Sequence, residues 1–116
     1  MKKKKITAVL LISSIIIGIP FACKTHKAVL DCSTTESSYS KDIAPLVLSN
    51  CMPCHSSGSL KGDFTTYEGL NAVATSGDLK TKVLFRQEMP PSPKGPLAAD
   101  LQKKIACWLN NGHPNN

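Results

Sequence analysis

Two cysteines and a histidine lie close together near the middle of the chain, as Cys51, Cys54 and His55. Two thiols on one tight helical turn can each add to one vinyl group of a porphyrin, and the adjacent imidazole then lies where it can ligate the iron. A Cys-x-x-Cys-His run is the attachment signature of a c-type haem. The pattern therefore predicts one covalently attached haem c, with Cys51 and Cys54 as thioether attachments and His55 as proximal ligand.

A Cys-x-x-Cys pair also occurs in thioredoxin-like redox sites and as half of a zinc site. The first expects a βαβ context, which the segments on either side of Cys51 do not show. The second needs another ligand pair at similar spacing, whereas the other three cysteines are single and far apart: Cys23, Cys32 and Cys107. The motif therefore favours haem attachment.

The second axial position of the iron separates electron transfer from catalysis, because a filled position excludes substrate. The side chains that could fill it are Met1, His26, Met52, Met89 and His113. Met89 is favoured, because Pro90 and Pro91 stiffen its loop and the 34 positions after His55 give enough chain to pass around a haem edge. Ordinary core packing is the alternative role for this methionine.

The other four candidates are each disfavoured by their position in the sequence. Met1 leaves with a cleaved leader, and Met52 lies between the two haem thiols. His26 belongs to a polar segment without apolar periodicity, and His113 follows the end of the last predicted helix.

The N-terminus has the pattern of an export signal, predicted over residues 1–22. Lys2 to Lys5 form a positive region, and an apolar stretch from Ile6 to Ile19 follows. Cys23 after Ala22 resembles the lipidation site of a bacterial lipoprotein, which would place the domain on the periplasmic side, anchored to a membrane. Because Pro20 stands where such signals usually carry leucine, ordinary cleavage and an uncleaved anchor are alternatives.

Charge and length describe one small domain. Four of the 14 basic residues lie in the leader, which leaves 10 basic against 8 acidic residues in the remainder. No basic stripe with interleaved aromatic residues is present, so we expect no nucleic-acid partner. Residues 23–38 are mostly polar and predict a flexible tether, and residues 39–116 the folded domain.

Helical periodicity predicts an all-α fold of about four short helices around the haem, with no convincing strand. The first helix starts near Tyr39 with Ser40 as its N-cap and delivers the chain to Cys51. A capping box of Thr65 and Glu68 starts the second.

The second helix runs to about Ala74 and is stopped by Gly77, and a short third helix ends near Phe85. Phe64 is expected in the core near the haem. The last helix carries apolar residues at helical spacing and ends with Gly112 as its C′ residue.

Cys32 and Cys107 are left over once the other three cysteines are assigned. In an exported protein, two spare cysteines suggest a disulfide. Two separate thiols, with Cys32 reduced or paired elsewhere, are the alternative.

Several segments together resemble the small monohaem class I cytochromes c of bacteria, from about residue 39 to the C-terminus. They are Asp42 to Pro45, Asn50 to His55, Thr66-Tyr67, Met89 to Pro91, and Ala106 to Gly112. The resemblance implies first and last helices that cross beside the haem, an exposed haem edge for redox partner proteins, and His55 and Met89 as axial ligands. The crossing would also allow Cys32 to meet Cys107. The family's pattern is weaker before the last helix, where Ala98 and Ala99 offer no capping side chain.

The expected function is single-electron transfer by a membrane-tethered carrier, without enzymatic activity or a small-molecule substrate. One alternative is a haem enzyme or sensor with an open sixth site, of the peroxidase type. It requires Met89 to be away from the iron. It also needs a distal general acid or base, and Arg86 is the only His or Arg near Met89 in the sequence. The other alternative is a fixed relay subunit within a larger redox complex.

Overall fold

Four helical segments form the regular structure of residues 30–116, the part of the chain that this computed structural model describes, and no strand occurs among them. α1 is a π-helical turn, Tyr39–Ile43, that continues as an α-helix, Ala44–Asn50; α2 is Tyr67–Thr75, α3 is the π-helical Lys80–Phe85, and α4 is Ala99–Asn110. The all-α class is therefore confirmed. Predictions for the leader, Cys23, His26 and Met1 lie outside the described residues. Within residues 30–116, no helix is long and apolar enough to cross a membrane.

The first helix is capped by Ser38, so the prediction of Ser40 was wrong. The Ser38 hydroxyl accepts a hydrogen bond from the Lys41 amide at 3.2 Å, and the Asp42 carboxylate accepts one from the Ser38 amide at 3.1 Å. This exchange satisfies two backbone donors, as a capping box does. Ser40 instead lies inside the turn, where its amide donates to the backbone oxygen of Asn116 at 2.9 Å.

The cap of α2 is displaced by one residue from the predicted box of Thr65 and Glu68. Thr66 accepts from the Gly69 amide at 3.2 Å, while the Thr65 amide donates to the Asp63 carboxylate at 2.8 Å. A Cβ atom on residue 69 would lie 1.7 Å from the Asp63 backbone oxygen, so only glycine permits this close approach of helix and loop.

The last helix begins without a side-chain cap at Ala98, as the sequence predicts, and ends at a glycine. Gly112 has a φ of +83°, its amide donates to Leu109 O at 3.2 Å, and the His113 amide donates to Trp108 O at 2.9 Å. These two bonds form a Schellman motif. The predicted stop at Gly112 is confirmed.

The hydrophobic core draws on all four helices and on the loop before α4. Helix α4 packs against both the Tyr39–Ile43 turn and α3. The buried core residues are Ile43, Leu46, Val47, Leu70, Ala74, Leu79, Val83, Leu97, Ile105 and Trp108. Each large aliphatic side chain buried here contributes about 1.5–3 kcal/mol relative to exposure.

An aromatic cluster of Tyr39, Tyr67, Trp108 and His113 lies on one side of α4. The Tyr39 ring meets the Tyr67 ring edge-on at 5.1 Å between centroids and the Trp108 ring at 6.2 Å, and Trp108 meets His113 at 5.7 Å. The Trp108 side chain is fully buried. Each edge-to-face aromatic pair adds about 0.5–1.5 kcal/mol beyond the burial of its rings.

The C-terminal tail satisfies the polar atoms of this cluster. Trp108 Nε1 donates to Pro114 O at 3.0 Å, and the Tyr67 hydroxyl donates to His113 O at 3.0 Å. His113 Nδ1 lies 2.7 Å from Asn71 Oδ1. The tail thereby fixes the relative positions of α2 and α4.

A disulfide joins Cys32 to Cys107, with 5.5 Å between the Cα atoms. Cys107 is fully buried on α4. The part of the predicted tether from Cys32 onward is therefore fastened to the helical domain.

Candidate functional site

A cavity of about 560 Å³, here called the main cavity, opens between the helices and is lined mostly by apolar side chains. This volume is within the range of about 300–1,000 Å³ that is usual for sites of small ligands and cofactors. Four of the residues predicted from the sequence line it together: Cys51, Cys54, His55 and Met89. Residues 34 positions apart are thus brought to one site.

Helix α1 positions the Cys51 to His55 turn. The Cys51 amide donates to Val47 O at 2.8 Å, and the His55 amide donates to Cys51 O at 3.2 Å, so the chain forms a hydrogen-bonded turn after Asn50. This turn brings the backbones of Cys51 and His55 together, and both residues line the main cavity.

The two thiols of the turn are unpaired but differ in environment. Cys51 is half-buried and Cys54 is exposed. Burial raises the pKa of the Cys51 thiol, and the charge of nearby Lys94 opposes this shift. Addition to a vinyl group requires thiols that are not joined in a disulfide, and neither Cys51 nor Cys54 is so joined here.

His55 is held by the loop that follows it. Its ring stacks on that of Phe64, with 4.1 Å between centroids and 5° between planes, and the Phe64 amide donates to His55 O at 2.9 Å. The Nδ1 atom of His55 is buried and has no hydrogen-bond partner within residues 30–116. A buried polar atom without a partner costs about 1–3 kcal/mol, and native proteins leave few of them.

Met89 reaches the main cavity from the loop after α3. Its amide donates to Lys82 O at 3.2 Å, and the Glu88 amide donates to the same oxygen at 3.0 Å. Gln87, with a φ of +53°, reverses the chain before these bonds, and Pro90 is buried after them. The backbone of Met89 is therefore fixed on both sides.

Of the other ligand candidates within the described residues, Met52 also lines the main cavity, and His113 belongs to the aromatic cluster. His113 Nδ1 is engaged by Asn71. The structure brings Met89 and His55 together in one cavity and places His113 elsewhere.

Charged side chains around the main cavity are mostly basic. Lys61, Lys82 and Lys94 line it, with Asp78 as the acidic member. The Lys94 ammonium also donates to Ser49 O at the end of α1. The site therefore has an apolar interior beside an excess of positive charge, a combination that sequence periodicity did not reveal.

The residues of the main cavity fit a covalently held haem by the chemistry of their donor set. The cavity is apolar, two unpaired thiols lie three positions apart, and an imidazole and a thioether are present in the same space. A porphyrin supplies four iron ligands, so the protein needs to supply two. Within residues 30–116, His, Cys, Asp and Glu side chains form no group of three or more that could hold a metal ion.

Comparison with known proteins gives no match to a family model, to a curated protein or to a solved structure.

Proposed function

We propose that the protein is a single-electron carrier with one covalently attached haem c, a member of the class I cytochromes c, and not an enzyme. The observation that carries this proposal is the presence of Cys51, Cys54, His55 and Met89 in one apolar cavity. When bound, the haem supplies a one-electron iron couple. Cys51 and Cys54 would hold it covalently, and His55 and Met89 would ligate its iron.

The surrounding residues act by positioning the ligands and excluding water. The paired hydrogen bonds from the Glu88 and Met89 amides to Lys82 O fix the backbone of Met89. Buried Leu70, Leu97 and Ile105 line the main cavity and keep its interior apolar. Apolar surroundings disfavour the more highly charged ferric state, so this lining raises the reduction potential.

The carrier would meet redox partner proteins at the edge of the main cavity, through a small and transient interface. Lys61, Lys82 and Lys94 favour partners with an acidic surface, which would make association faster at low ionic strength. In this proposal, the export signal of residues 1–22 and lipidation at Cys23 hold the domain on the periplasmic side of a membrane, with no small-molecule substrate and no nucleic acid.

The first test is the optical spectrum of the exported, purified protein, oxidised and reduced, combined with addition of carbon monoxide. We expect covalent haem, a ferric thioether charge-transfer band and no carbon monoxide adduct. Absence of covalent haem would refute the proposal. Covalent haem that lacks this band and binds carbon monoxide readily would instead support an open-site enzyme or sensor.

The second test compares two methionines of the same cavity. Met89→Ala should retain covalent haem, admit carbon monoxide and lower the reduction potential, because the thioether ligand is lost. Met52→Ala is the matched control, since Met52 also lines the cavity, and it should keep the wild-type spectrum. If Met89→Ala still excludes carbon monoxide, Met89 is not a ligand of the iron.

A further inference from the structure

The loop between His55 and α2 is built around the Phe64 ring. The Ser59 hydroxyl donates to Cys54 O at 2.7 Å, and the Gly62 amide donates to Ser59 O at 3.1 Å. A Cβ atom on residue 62 would lie 3.1 Å from Phe64 Cε1, and Gly62 has a φ of +98°. Both the space and the backbone conformation therefore favour glycine where the loop passes over the ring.

The ring of Phe64 in turn covers one face of His55. The two rings are nearly parallel, and the amide of Phe64 is bonded to the backbone oxygen of His55. The imidazole is thus restrained through its ring face and through its own backbone.

A histidine that ligates a metal ordinarily donates its other ring N–H to a carboxylate, a backbone oxygen or water. That bond fixes the ring orientation and makes the imidazole a stronger donor. His55 Nδ1 is buried without such an acceptor within residues 30–116. Within this range the ring is therefore oriented by packing and not by a hydrogen bond to a protein acceptor.

We infer that Phe64 is a positioning residue for the proximal ligand, one that fixes the His55 ring plane by stacking and keeps water from Nδ1. This inference rests on the proposed function. A weaker imidazole donor stabilises the ferric state less, so Phe64 holds the reduction potential above the value that a hydrogen-bonded histidine would give.

The test is the variant Phe64→Leu in the holoprotein. Leucine keeps an apolar side chain but offers no flat face, so water can reach Nδ1 and the imidazole can rotate. We expect covalent haem to remain, the reduction potential to fall, and the spread of haem methyl shifts in the ferric proton spectrum to change, since that spread reports the orientation of the axial ligands.

Two further variants separate stacking from general packing. Phe64→Tyr keeps the ring and should restore the wild-type potential and methyl spread. Phe85→Leu makes the same change at a side chain that is 73% exposed on α3, and it should leave both readouts unchanged. A methyl spread and potential unchanged in Phe64→Leu, or shifted equally in Phe85→Leu, would overturn the inference.

A measurement on the wild-type protein does not depend on any variant folding. In the reduced, diamagnetic holoprotein, nuclear Overhauser effects should connect ring protons of His55 and Phe64, and their absence would contradict the stacking. If covalent haem is absent from the wild-type protein, the proposed function fails; if haem is present and the His55–Phe64 effects are absent, only this inference fails.

Discussion

The main cavity and the aromatic cluster are both bordered by α4, but they differ in how completely protein atoms satisfy one another. In the aromatic cluster, Trp108 Nε1, the Tyr67 hydroxyl and His113 Nδ1 each have a hydrogen-bonding partner. In the main cavity, His55 Nδ1 has no partner within residues 30–116, and two thiols are unpaired. These polar atoms of the aromatic cluster are bonded to other protein atoms, whereas the imidazole nitrogen and the two thiols of the main cavity are not.

This contrast distinguishes the main cavity from the aromatic cluster as the candidate binding region. Native proteins leave few buried polar atoms without partners, so each exception calls for an explanation. Here an exception coincides with a thiol pair and a large apolar space, which together support the proposal of a haem site. The aromatic cluster also contains polar ring atoms, but each of those named above is bonded within the protein, so the cluster has a structural role.

The sharpest way to break the comparison uses the two cysteine pairs. The double variant Cys51→Ala/Cys54→Ala should lose covalent haem completely, because no thiol remains to form a thioether. The measurement is the intact mass of protein exported from cells that attach c-type haem. Haem still covalently bound to this variant would contradict the assignment.

The matched control is Cys32→Ala/Cys107→Ala. It should keep covalent haem and instead lose about 4 kcal/mol of unfolding free energy, since a disulfide that spans 75 positions restricts the unfolded chain strongly in the chain-entropy model. Loss of haem in both double variants would mean that haem attachment depends on the disulfide as well as on Cys51 and Cys54.

A second test removes the centre of the aromatic cluster. Trp108→Ala deletes a fully buried side chain and its hydrogen bond to Pro114 O, so we expect a loss of about 3–5 kcal/mol in urea unfolding. Haem should stay attached. Leu48→Ala, at a side chain 57% exposed, should change stability by less than about 0.5 kcal/mol. A change in unfolding free energy at Trp108→Ala as small as that at Leu48→Ala would show that the aromatic cluster does not stabilise the fold.

The smallest expected effect concerns Asp42 at the start of α1. The hydrogen bonds that its carboxylate accepts from Lys104 Nζ at 2.9 Å and from the Ser38 amide hold the pKa of this carboxyl below its usual value. Asp42→Asn should therefore cost about 1 kcal/mol near neutral pH.

The cost should depend on pH in one direction. Because the folded pKa of Asp42 lies below the unfolded value near 3.8, its stabilisation is present above that value and is lost as the pH falls through the folded pKa. The unfolding free energies of wild type and Asp42→Asn should converge in acid. A constant difference at all pH values would exclude the charge of Asp42 as the cause.

The helices were predictable because apolar periodicity and glycine stops are local signals, and Gly112 illustrates this. The caps were less so. Ser38 and Ser40 are chemically equivalent candidates, and the choice depends on Asn116 at the far end of the chain, which accepts from the Ser40 amide. Sequence spacing also gives no sign that the first turn is π-helical.

At the candidate site, the grouping of Cys51, Cys54 and His55 was predictable because these residues are neighbours in the chain. Phe64 was expected near the haem, but its stacking on His55 was not, since it depends on how a loop folds back. The missing partner of Nδ1 is a property of the three-dimensional surroundings, and no residue pattern encodes it.

The Cys32–Cys107 disulfide has a mechanical consequence. Residues 33–106 form a closed covalent loop, and every side chain that lines the main cavity, from Ile43 to Ile105, belongs to that loop. Tension applied between the chain before Cys32 and the C-terminus passes through the sulfur–sulfur bond to the end of α4. The cavity therefore lies outside the path of covalent load, and a pull on the N-terminus does not stretch the backbone of the residues that line it.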